Sequence, residues 1–201
     1  MARRTVRYAL LQAFPQASRI EALHVEALVD GLASDAFARD LPGGLRAETE
    51  YDTMVVSCAD AEVMRVAPSL LTLPGSADLG SAGTITAEPA SAGETTGGPF
   101  SVVIDVEAVR GELTIDSVRE GDRMRPLGMS GTRKLSDILV DAKVPRRLRQ
   151  AIPIVRDGAR IVWVAGVRMS HEYRVVPETG SAMRLTWTGR QDGRAEEADR
   201  G

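Results

Sequence analysis

Nine cations crowd one short stretch of this 201-residue chain, REGDRMRPLGMSGTRKLSDILVDAKVPRRLR at 119–149, and seven of them are the candidates for function: Arg123, Arg125, Arg133, Lys134, Lys143, Arg146 and Arg147. The chemistry open to them is the grip of a polyanion. Arg119, Arg123 and Arg125 alternate along a stretch predicted to be extended, so their side chains can share one face. Pro126-Leu127-Gly128 and Ser130-Gly131 form a small-residue loop leading into a helix predicted from Thr132. Unpaired amides at a helix start suit a phosphate. Arg133 and Lys134 would stand in the first turn, where they oppose the helix dipole. Cations in that unfavourable place make sense if an anion binds there. Lys143, Arg146, Arg147 and Arg149 make a second cluster. Phosphate contacts of this kind supply affinity and salt dependence, not sequence reading. A bland reading stands beside this one. Arg-rich faces are often merely solvated, Asp137 and Asp141 can pair with neighbours on the helix surface, and Gly128 and Gly131 can serve turn geometry alone. Charge by itself leaves both readings open.

Other chemistry-bearing residues point nowhere as firmly. His24 lies beside an apolar helical stripe and reads as a partly buried helix residue. His171 precedes Glu172 in a predicted loop without enough further ligands for a metal. Cys58 reads as a small core residue at a strand end. Trp163 and Trp187 fall in strands and read as packing residues, since neither sits in an aromatic platform. Asp105, Glu107 and Asp116 are spaced too loosely for a carboxylate pair, and no nucleophile–base pair stands out.

The elements that must position the cations follow from periodicity and turn chemistry. Residues 2–14 predict a helix with Val6, Leu10 and Phe14 on one face, stopped by Pro15. A second helix is expected over 18–32, with Ser18 and Glu21 as a capping box and Ile20, Leu23, Ala27 and Leu28 as its stripe. Strands are predicted at 45–51 and 53–58 around Asp52, then at 69–73, 84–88, 100–105 and 112–117. Residues 89–99, PASAGETTGGP, read as a mobile loop. After the helix at 132–142, Pro145 opens another helical turn. Strands at 152–156 and 159–165 flank Asp157-Gly158, a type I′ hairpin signal. Closing strands are expected at 173–176 and 183–188, and the polar tail 189–201 is expected to be disordered.

The fold class is therefore α+β. An N-terminal helical hairpin (1–40) leads into a small, mostly antiparallel β region (41–116). A basic C-terminal α/β domain (117–188) and the tail follow. Composition agrees with a globular protein: 43% hydrophobic, 26% charged, only 4% aromatic. The net charge of −3 conceals an asymmetry, because residues 117–187 hold 14 of the 25 Lys and Arg but only 7 of the 28 Asp and Glu. Such a module meets a polyanion on one face while the remainder repels it. With one cysteine there is no disulfide framework within the chain. No apolar run is long enough for a membrane span and no secretory signal is expected, so the location is expected to be cytoplasmic.

The run R-P-L-G-M-S-G-T-R-K-L-S-D-I-L-V-D-A-K-V-P-R-R-L-R, followed by P-I-V-R-D-G-A-R-I-V-W-V-A-G-V-R-M-S, resembles the C-terminal domain of the tRNA(Ile)-lysidine synthetases. The likeness spans about Gly111 to Val176. Upstream, A-R-R…L-P-G-G-L-R-A-E-T-E-Y is more loosely similar to the segment after that family's catalytic domain. The resemblance implies an ATP-dependent ligase that attaches lysine to the wobble cytidine of an isoleucine tRNA. It also implies a catalytic module with an S-G-G-x-D-S loop. Here Ser130-Gly131 continues as Thr132-Arg133, so ATP and lysine chemistry cannot be placed on any residue of this chain. No cofactor is expected in it, and it is expected to be inactive alone. What the resemblance implies for these residues is tRNA binding on the acceptor-stem side, through the seven cations named above. The partners would be isoleucine tRNA and a catalytic domain, in cis or as a separate chain. The alternative is a stand-alone RNA- or protein-interaction module that keeps the fold.

Overall fold

A computed structural model describes residues 2–34, 37–51, 53–59, 65–91, 93–94 and 97–189. The chain forms two compact units, Met1–Met64 with Lys143–Arg147, and Arg65–Ala142 with Leu148–Gly201. The tail expected to be disordered lies outside the described residues beyond Gly189, as does Asp52.

In the first unit, α1 (Ala2–Ala13) buries Leu10 and half-buries Val6, on the face that the spacing predicts. Pro15 cannot continue the helix and instead opens a 3-10 turn, Pro15–Arg19. Ser18 is spent in that turn, so the expected Ser18–Glu21 capping box does not form. Helix α2 (Ala22–Gly31) starts four residues later than expected. Its cap is Glu21, whose carboxylate accepts the His24 amide while its own N–H donates to His24 Nδ1 at 3.1 Å. Val25 and Leu28 face inward. Gly31 closes the helix where any Cβ would lie 2.6 Å from the Phe37 ring.

Three antiparallel strands follow in the order β1 (Ala38–Leu41), β2 (Leu45–Glu50), β3 (Thr53–Cys58). Strand β2 alternates strictly. Leu45 and Ala47 join a core with Leu10, Ile20 and Leu28, and Thr49 is buried on the same face with its hydroxyl donating to the Gly31 carbonyl, which leaves Arg46, Glu48 and Glu50 on the opposite face.

The second unit is built from β4 (Ser69–Leu71), β5 (Gly75–Asp78), β6 (Thr84–Ala90), β7 (Ser101–Asp105), β8 (Leu113–Asp116), β9 (Arg123–Met124), β10 (Arg133–Lys134), α3 (Leu135–Asp141), β11 (Ile154–Asp157), β12 (Arg160–Val164), β13 (Arg168–Met169) and β14 (Ala182–Thr188). A five-stranded antiparallel sheet runs β13-β12-β11-β8-β4 and a four-stranded one runs β5-β6-β14-β7. One apolar cluster takes side chains from both, among them Ile85, Ile104, Ile115, Val155, Trp163 and Leu185. Burial from two sheet faces is what lets so few aromatics suffice. The α+β class holds.

Three local expectations change. Pro89 and Ala90, expected in a loop, pair with Met183 and Ala182 in the ladder. The β11–β12 turn residues are Gly158 and Ala159, because Asp157 still pairs with Arg160. Positive φ is confined to Gly158 (61°), the pattern of type II′ and not type I′. The segment 173–176 is not a strand. His171–Tyr173 forms a 3-10 turn that buries the Tyr173 ring, and the phenol donates to Asp157 Oδ2 at 3.0 Å. No helix among the described residues is long and apolar enough to cross a membrane.

Candidate nucleic-acid interface

Asp122 organises the loop that carries the first cationic cluster. Its backbone carbonyl accepts the Leu135 amide at 2.8 Å, tying the chain before the loop to the start of α3. Its carboxylate accepts the Arg119 amide at 2.8 Å and two guanidinium bonds from Arg156, at 2.8 and 2.7 Å. Arg156 is 1% exposed on β11 and also donates to Asp116 Oδ1 at 2.6 Å and to the Ser117 carbonyl at 3.2 Å. Burial works against its charge, but the hydrogen bonds and charges of Asp122 and Asp116 outweigh that and raise its pKa. Sequence reasoning missed Arg156 as the frame of this site. The available signal was an Arg-Asp pair inside an otherwise apolar strand, where a cation persists only if paired.

On that frame β9 and β10 pair antiparallel, with Met124 opposite Arg133 and Arg123 opposite Lys134. Thr132–Lys134 are therefore not the first turn of a helix. Arg133 and Lys134 are strand residues, and α3 begins at Leu135 and is only seven residues long. The dipole reasoning for a phosphate lapses, and a different arrangement replaces it. Arg123 and Lys134 face each other as like charges, both exposed, and neither is ion-paired to a described residue. Like charges directly across a ladder cost up to about 1 kcal/mol. An anion seated between them removes that cost.

The remaining loop cations are partly engaged. Arg125 Nε donates to the Met129 carbonyl at 2.9 Å, which braces the loop from inside. Arg133 donates to Asp141 Oδ2 at 2.6 Å across the start and end of α3. Arg133, Asp141 and Arg168 line an open cavity with a floor of Pro126, Ile138 and Val167. Arg168, exposed on β13, is a further cation of this face that sequence reasoning did not single out. Arg119 does not continue the alternation, since the turn at Gly121 (φ 82°) intervenes and its guanidinium bonds Asp116.

His171 sits against this loop, its amide donating to the Arg125 carbonyl at 2.8 Å. Burial, then the charges of Arg125 and Arg174, lower its pKa against the smaller opposing pull of Glu172. Its Nδ1 is buried with no hydrogen-bond partner among the described residues. The ring is thus held neutral near pH 7. No cluster of three or more metal-ligating side chains occurs among the described residues.

The second cluster belongs to the other unit, which takes in Lys143–Arg147. There the outward face of β2 supplies acid. The Arg146 amide donates to Glu50 Oε2 at 2.7 Å and its guanidinium stays loosely held, 3.8 Å from Glu50 Oε1 and 85% exposed. Arg147 donates to Ser57 Oγ and lies 3.5 Å from Glu48, with its side chain only 31% exposed. The structure therefore brings Arg123, Arg125, Arg133 and Lys134 together but does not bring Lys143, Arg146 and Arg147 into the same unit.

Known proteins resemble this chain across both clusters. Residues 113–187 match the family model described as the TilS substrate C-terminal domain. The tRNA(Ile)-lysidine synthase of Caldanaerobacter subterraneus subsp. tengcongensis is 30% identical over 190 residues, 92% of this chain and 41% of the relative. That of Symbiobacterium thermophilum is 35% identical over 162 residues, 77% of this chain and 34% of the relative. The chain thus spans well under half the length of the curated relatives it matches. A crystal structure of a TilS C-terminal domain is 29% identical with a TM-score of 0.53, covering 61% of this chain and 98% of that one.

Proposed function

We propose, from the match of residues 113–187 to the TilS substrate C-terminal domain and the similarity of the chain to tRNA(Ile)-lysidine synthases, that it is the tRNA-holding portion of such a synthase. In this reading it works in the cytoplasm on isoleucine tRNA. A catalytic module, in cis or as a separate chain, supplies the ATP-dependent attachment of lysine to the wobble cytidine. This chain supplies affinity and register.

The observation that carries the proposal is the Arg123–Lys134 pair. Two unneutralised cations fixed opposite each other, on a ladder pinned by a buried Arg156–Asp122 network, are a preorganised phosphate clamp. Arg125 and Arg133 flank the clamp, each held by a hydrogen bond that sets its direction. Lys143 and the exposed guanidinium of Arg146 serve as outlying phosphate contacts. Arg147 serves mainly to anchor its segment to Glu48 and Ser57.

The test is binding of an isoleucine tRNA transcript to the intact chain at low salt. The expected result is saturable binding that weakens steeply with added salt. Absence of affinity at low salt would exclude RNA binding and leave the stand-alone protein-interaction module.

A further inference from the structure

The end of β14, beside the start of β7, carries an aromatic pair that the clamp does not use. Phe100 stacks on Trp187 with ring centroids 5.8 Å apart and planes at 26°. Trp187 is anchored, its indole N–H donating to the Ala82 carbonyl at 2.8 Å and its amide to the Phe100 carbonyl at 2.9 Å. Phe100 is not covered in turn, being 55% exposed. A hydrophobic ring left this open has a cost that its contact with Trp187 alone does not remove, since half of its surface still meets water.

The position of the pair gives it a use. Gly166, in the β12–β13 turn, donates its amide to the Pro99 carbonyl at 2.9 Å and lies flat against both rings. A Cβ there would come within 2.9 Å of Trp187 and 3.1 Å of Phe100. Val167 follows in the same turn and Arg168 opens β13, and both line the cavity that Arg133 and Asp141 also line. A three-residue turn therefore joins an open aromatic face to a cationic cavity belonging to the proposed phosphate-binding face.

We infer that Phe100 and Trp187 form a stacking platform for an unpaired nucleotide of the bound RNA, with the phosphate of that nucleotide directed to Arg168 and Arg133. This rests on the RNA-binding reading above and adds the class of substrate feature recognised. Bases stacked inside a duplex offer no free face to Phe100, whereas an unpaired base offers a π surface regardless of its identity. Arg168 supplies the matching charge for its backbone.

The experiment compares a blunt RNA duplex with the same duplex carrying a short unpaired overhang, at the 3′ or the 5′ end, using the intact chain. The expected result is tighter binding of one overhang duplex by about tenfold, the usual scale of one stacked base. Phe100→Ala and Phe100→Leu should each abolish that gain while leaving blunt-duplex affinity unchanged, and Phe100→Trp should keep it. The leucine variant preserves apolar cover over Trp187, so it separates stacking from packing. Equal affinity for blunt and overhang duplexes, or an overhang gain that survives Phe100→Leu, overturns the inference while the clamp stands. Failure of every duplex to bind overturns the clamp itself.

Discussion

Two clusters of cations, close in sequence, meet opposite surroundings. Around β9 and β10, Arg123 and Lys134 stand opposite each other with no described carboxylate to neutralise them. At 143–147 the chain crosses to the first unit, where Glu50 takes the Arg146 amide and Glu48 and Ser57 hold Arg147. Both read as basic patches in sequence. Only the first holds two cations facing each other without a described carboxylate partner. Local charge density therefore says little about polyanion binding until it is known which acids the fold brings to it.

The largest effect should come from the frame beneath the open cluster. Arg156→Ala leaves buried Asp122 without its counter-charge and Asp116 with Arg119 alone, which costs about 3–5 kcal/mol. Urea denaturation measures this directly, and a loss under about 1 kcal/mol, the range of an exposed ion pair, would show that the ladder does not depend on Arg156. The next effect separates the clusters. Arg123→Glu with Lys134→Glu should weaken tRNA binding by at least about tenfold, the scale of removing one or two charge-assisted hydrogen bonds, with unfolding unchanged. Arg147→Ala should do the reverse. It should lower stability by at most about 1 kcal/mol, as for a partly exposed ion pair, with a smaller change in tRNA affinity. If Arg147→Ala impairs binding more than the clamp variant does, the division between the clusters is wrong.

The smallest effect is proton-linked. His171 has a lowered pKa in the folded state, first through burial and then through Arg125 and Arg174. Its neutral form contributes stability that is fully present above the ordinary histidine pKa of about 6.5 and is lost as pH falls through the lower folded value. Stability measured as the pH is lowered from above the ordinary histidine range should therefore fall more in the native chain than in His171→Gln. Parallel curves would contradict the assignment.

Much of this was legible in the sequence, for reasons that also explain what was not. The stripe of Val6, Leu10 and Phe14 and the alternation of β2 follow from periodicity set by a local face. The start of α3 did not follow, because Thr132–Lys134 are held extended by Met124 and Asp122, partners eight or more residues away. Ser18 has the chemistry of a cap but yielded that place to Pro15, which committed the chain to a 3-10 turn. Arg156 and Arg168 were not singled out by the sequence. One is the most buried cation of the site and the other completes its cavity, a difference decided by strand register across a sheet. The Phe100–Trp187 pair was invisible because its members are separated by most of the second unit's sequence.

The most direct test is the salt dependence of tRNA affinity, measured for the native chain, for Arg123→Ala with Lys134→Ala, and for Arg147→Ala. Removing one phosphate-binding cation lowers the slope of log K against log salt by about 0.7–0.9. The clamp variant should reduce the slope by about 1.5, the sum for two such cations, and Arg147→Ala should leave it close to the native value. An unchanged slope in the clamp variant would contradict the claim that the open cluster is where this chain holds RNA.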